Sequence, residues 1–174
     1  MDDLPPLALS VRQPWAWAIV HAGKDIENRT RGSIRAGEMK PGPICIHAAS
    51  AMTKAEYEWA VWRMARDGVR VPRPDDLPRR AVIGTVEVVA IVERSTSPWF
   101  GGPCGLLLAD PHAVQPIPAG GERGYFEWCR TGRLAAPLAW MRRWDRANGD
   151  GTTLSLFPDE DASFRFPPEK PWDG

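Results

Sequence analysis

The sequence predicts an α+β fold, a mixed sheet curled into a small barrel with two or three flanking helices. Strand-like segments outnumber helical ones, and the helical patterns come early without any βαβ rhythm, which disfavours a doubly wound sheet. The longest strand signal, AVIGTVEVVAIVE at 81–93, is largely apolar on both alternating faces, so both must be covered. At 174 residues the chain suffices for one sizeable core.

Leu7–Val11 is a short apolar run. Pro14, after Arg12 and Gln13, suits a first helical turn because its missing donor would be unpaired there anyway, so a helix is expected from Pro14 to Ala22 with Gly23 as its left-handed stop. Trp15 shares the core-facing stripe with Ala18, Ile19 and Ala22, while Trp17 lies about 160° away with Val20 and His21.

Asp25–Thr30 reads as an edge or barrel strand, 32–43 as a loop, and Ile44–Ala48 as a buried strand carrying His47 near its end. Thr53 and Glu56 form a capping box, and Tyr57, Val61, Met64 and Ala65 recur at helical spacing until Gly68. Prolines 72, 74 and 78 mark an irregular connection into the 81–93 strand.

SPWFGGPCG at 97–105 is a turn segment with several backbone amides free to meet a ligand and one large ring. Leu106–Ala109 and Ala113–Ile117 suggest a hairpin around Asp110-Pro111, 124–128 a further aromatic element, and 134–147 a last helix. A domain over 6–148 is expected. Residues 149–174 lack any period and read as a proline-containing acidic tail, extended or packed on the domain.

The formal net charge is zero, but the tail holds six acidic and two basic residues, leaving residues 1–148 at +4 (20 basic against 16 acidic). Arginine, which forks onto phosphate and stacks on flat rings, outnumbers lysine 18 to 4. Cys45, Cys104 and Cys129 offer neither a disulfide framework nor a zinc pattern, and no metal or cofactor is expected. The N-terminus has no secretory pattern and no apolar run nears membrane-spanning length, so the chain is expected to be cytoplasmic and off the membrane. GxGxxG, GxxxxGK[ST], HExxH and GxSxG are all absent.

LSVRQPWAWAIVHAGKDIENR, followed in order by GPICIHAAS, AVIGTVEVV and SPWFGGPCGLLLAD, resembles the ASCH domain family, whose GxKxxExR pattern is met by Lys24, Glu27 and Arg29, with Gly23 directly before the lysine. The likeness covers about residues 7–118. It implies a PUA-like pseudobarrel of five or six strands with a cleft beside the GxKxxExR segment. It also implies RNA or DNA binding, a coactivator role, or hydrolysis of acylated cytidine nucleosides or RNA. The small amidohydrolase members carry a threonine nucleophile three positions after the lysine, where this chain has Glu27.

A strand from Asp25 puts Glu27 and Arg29 on one face about 7 Å apart, and the Gly23 turn lets Lys24 join them. The alternatives are a hollow for a nucleobase or phosphate and an internal ion pair. Arg12 and Gln13 precede a helix, a place that attracts anions. Trp15 and Trp99 are candidate stacking rings, Ser97 belongs to the loop walling the pocket, and His47 is either a ligand contact or a hydrogen-bonded core residue. Glu87 stands alone in an apolar strand and makes with Glu27 the one plausible carboxylate pair.

The leading expectation is a nucleic-acid-binding module taking RNA, another single strand or a single, possibly modified, nucleotide. The second is a hydrolase on a modified nucleoside or RNA, using Lys24 with Glu27 or Glu87. The third is a protein interaction module of coregulator type. Oligomeric state stays open, with a monomer preferred.

Overall fold

A computed structural model describes residues 4–145. Six strands form one mixed sheet: β1 (Leu7–Val11), β2 (Ile26–Arg29), β3 (Gly42–Ala48), β4 (Ala81–Val92), β5 (Cys104–Pro118) and β6 (Tyr125–Glu127). Their order is β2-β5-β4-β3-β1-β6, with β1 and β3 parallel and every other pair antiparallel. The sheet curls into a half-barrel, and its four short helices are α1 (Trp15–His21), α2 (Arg31–Ala36), α3 (Lys54–Ala65) and α4 (Ala139–Arg143). None is long and apolar enough to cross a membrane among the described residues.

Alternation explains the layering. Leu9 and Val11 of β1, Ile44 and Ile46 of β3, Val86 and Val88 of β4, and Leu106 and Leu108 of β5 form one buried cluster closed by Ile19 and Val20 of α1. Gly84 admits α1 there, since a Cβ at that position would stand 2.7 Å from a Val20 methyl. The opposite face buries Ala8, Cys45, Val82 and Phe126, but β4 leaves Val89 and Ile91 exposed, so the cover expected on both of its faces is incomplete at its far end. A third cluster under α3 gathers Tyr57, Ala60 and Met64 with Met141 and Trp144. The capping box forms as expected, Thr53 accepting from the Glu56 amide and Glu56 from the Thr53 amide.

Three local expectations are corrected. Residues 31–36 are helical, because the Thr30 side chain caps the turn by accepting from the Ser33 amide and Ile34 packs on the core. Asp110-Pro111 does not reverse the chain: β5 runs through it, Asp110 taking a left-handed φ of 48° while register shifts against β4 absorb the distortion. The last helix shrinks to Ala139–Arg143, because the preceding residues lie along 79–80, with the Ala135 amide on the Arg79 carbonyl and the Arg79 guanidinium on the Ala136 carbonyl. The expected tail at 149–174 lies outside the described residues.

Candidate functional site

Helix α1 ends as the Lys24 amide bonds back to the Ala18 carbonyl, and Gly23 turns the chain with φ +68°. That turn aims the Lys24 side chain along the start of β2. Its ammonium donates to the Ile26 carbonyl and to Glu27 Oε2 at 2.7 Å. Glu27 Oε1 lies 3.4 Å from Arg29 Nη2, which donates to the Ser10 carbonyl at 2.9 Å. The three side chains are 5%, 12% and 13% exposed, so the run of charges is nearly enclosed.

The structure thus brings Lys24, Glu27 and Arg29 together, and it does so as a mutually neutralising network where β2 faces β1. Two cavities, of about 420 and 430 Å³, lie elsewhere, around Pro74–Arg79 with 134–137 and around Trp17, His21 and 113–116. Arg29 is incompletely satisfied: its Nε is buried and has no hydrogen-bond partner among the described residues. Tyr125 adjoins this charged region. Burial pushes its hydroxyl up to about 12, opposed by its bond to the Lys40 carbonyl and by Arg29, while Glu87 adds a smaller upward push.

The 97–102 loop stands beside β2, but most of its amides are engaged. The Trp99 amide donates to Ser97 Oγ, the Phe100 amide to the Ser97 carbonyl, and the Gly101 amide to Asn28 Oδ1. Asn28 Nδ2 donates in turn to the Trp99 carbonyl at 2.8 Å, and Ser97 Oγ donates to Asp25 Oδ1 at 2.5 Å. Asn28 and Asp25, which sequence reasoning passed over, therefore fasten the loop to β2. The signal for Asn28 was its place next to Glu27, on the opposite face of β2, which must also meet something; Asp25 directly precedes the strand and carried none.

The remaining candidates are dispersed. Arg12 pairs with Glu56 of α3. Gln13 is buried, donating to the Pro78 carbonyl and accepting from the Trp17 amide, so it serves α1 as an internal cap. Trp15 wedges between two core clusters, 5.3 Å from the Trp59 ring centroid. His47 engages both nitrogens, Nδ1 with Ser10 Oγ and Nε2 with the Ala119 carbonyl, and burial lowers its pKa so that it sits neutral. Glu87 faces away from buried Val86 and Val88. The register aligns Glu27 with Leu106 and Leu106 with Ile91, four residues from Glu87, which is about 13 Å along the strand. The sheet does not pair the two carboxylates.

No family model matches the chain, and no curated protein matches it either.

Proposed function

We propose that this chain is an ASCH-type module that binds nucleic acid, RNA or a single nucleotide within it, at the Lys24, Glu27 and Arg29 cluster where β2 faces β1. The observation that carries this reading is the unpartnered, buried Nε of Arg29. A buried donor on a charged group is costly to leave unsatisfied, and the commonest remedies are a bound water or a ligand. Beside it, Glu27 Oε1 makes only a 3.4 Å contact with Arg29 and keeps lone pairs to offer. A donor next to an acceptor complements the paired groups along a nucleobase edge.

Binding is favoured over hydrolysis by the position of Lys24. Its ammonium already has two acceptors and is 5% exposed, which suits a structural cation better than a base that must reach substrate. Three cysteines without a partner fit a reducing, cytoplasmic setting.

The test is a titration of the full-length protein with nucleoside monophosphates and short single-stranded RNA and DNA, followed by tryptophan fluorescence. Binding should weaken as salt rises. Arg29→Lys, which keeps the charge and loses the planar Nε donor, should weaken it about tenfold or more. Failure of every ligand to bind at low salt, or equal binding by Arg29→Lys, would refute the proposal.

A further inference from the structure

The two cavities outside the charged cluster meet. Pro78 and Pro116 line both, so the hollow of about 420 Å³ and the hollow of about 430 Å³ form one groove with two steps. At one end the Trp17 and His21 rings stack, their centroids 5.9 Å apart and their planes 30° apart, with His21 exposed. At the other end stand Leu134, 43% exposed, and Asp76, also exposed. Asp75 is held by Arg73, whereas Asp76 has no ion pair among the described residues, so its carboxylate is open to a cation. A groove walled by rings and prolines, with an acid at one end, has the chemistry that receives a polyproline II segment carrying a basic side chain.

We propose that this groove is a receptor for a basic, proline-rich segment and that the chain's own residues 164–172 occupy it, Lys170 pairing with Asp76. Those residues, outside the described ones, read FRFPPEKPW, and Arg165 and Lys170 are the only basic residues from 149 to 174. The charge of the segment therefore complements the open carboxylate of the groove. In a polyproline II helix residues three apart share a side about 9 Å from one another, so Pro168 and Pro171 offer two apolar steps to the two hollows. Tethering also favours this occupant. The described chain ends at Asp145, soon after Leu134 to Pro137 form the groove wall, and an extended link from there to Phe164 reaches on the order of 60 Å. A segment held so close meets the groove at an effective concentration that a free peptide rarely matches. The groove shares no lining residue with the Lys24, Glu27 and Arg29 cluster, so its occupancy is independent of nucleic-acid binding there.

The experiment follows chymotrypsin cleavage of the Phe164–Arg165 bond by mass spectrometry in the folded full-length protein, using wild type, Asp76→Lys, Leu134→Glu and the double variant Asp76→Lys with Lys170→Glu. A seated segment is cut only when it leaves the groove, so wild type should be cleaved about tenfold or more slowly than Asp76→Lys or Leu134→Glu. The double variant restores a pair of opposite charges and should return to within about threefold of the wild-type rate. Asp76 and Leu134 are exposed, so both substitutions spare the core, which circular dichroism checks. Wild-type cleavage as fast as that of Asp76→Lys overturns the proposal. So does a double variant cleaved as fast as Asp76→Lys, since the charge pair would then be absent. Protection that fades on dilution, with a dimer in sedimentation, would give the groove to a second copy's segment and overturn the intramolecular seat.

Discussion

Arg29 Nη2 donates to the Ser10 carbonyl at 2.9 Å, joining β2 and β1, which stand first and fifth in the sheet and share no ladder. One side chain therefore spans the open side of the curl. Replacing Arg29 by Met should remove that tie, leave the Ser10 carbonyl short of a donor and take one cation from Glu27. A loss of about 1–3 kcal/mol in unfolding free energy is expected, read from the urea midpoint. An unchanged midpoint would mean that the tie adds nothing to the curl.

Gly124 meets Gly37 where β6 docks against the end of α2, and the Tyr125 amide bonds the Gly37 carbonyl there. A Cβ on Gly124 would sit 2.4 Å from the Gly37 Cα, and its φ of +72° already disfavours any side chain. At Gly23 φ is +68°, yet nothing lies within 4 Å. Gly124→Ala should therefore cost more than Gly23→Ala, about 2–4 against about 1 kcal/mol, by thermal or urea unfolding. Equal costs would show that the backbone contact yields.

His47 gives a pH dependence whose sign follows from burial. Its folded pKa lies below the ordinary 6.5, chiefly through desolvation, with a smaller contribution from Arg80. Above about pH 6.5 the ring is neutral in folded and unfolded chains alike and contributes no pH slope. As pH falls below that value the unfolded chain takes up a proton that the folded chain refuses, so stability declines toward the lowered folded value. Melting temperature should drop from about pH 7.5 to about pH 5.5, and His47→Gln should flatten that part of the curve. A slope equally steep in the variant would assign it to other groups.

Thiol chemistry should separate the cysteines. Cys129 is exposed, whereas Cys45 and Cys104 are buried and burial pushes the Cys45 thiol up to about 11. A thiol-exchange reagent at neutral pH should label one cysteine rapidly in the native protein and all three in denaturant. Rapid native labelling of two or more would contradict the packing around β3 and β5.

Where one local principle governed, the sequence was readable. The apolar faces at 81–93, the capping box at Thr53 and the proline before α1 each led to the element found. Residues 31–36 were obscured because their glycine and arginines outweighed the single cue, a threonine three residues before a serine. Asp110-Pro111 has turn chemistry, but pairing on both sides of it holds β5 extended. At the site, spacing foretold that Lys24, Glu27 and Arg29 meet. It did not reveal the Ser10 carbonyl or the two-ended role of Asn28, since both partners come from segments distant in the chain.

The sheet ends in β2 of four residues and β6 of three. Strands so brief expose few unpaired amides and carbonyls to a neighbouring molecule, and β2 also bears charged side chains. The fold thus gives intermolecular strand pairing little to template on, which should favour solubility when the protein is concentrated.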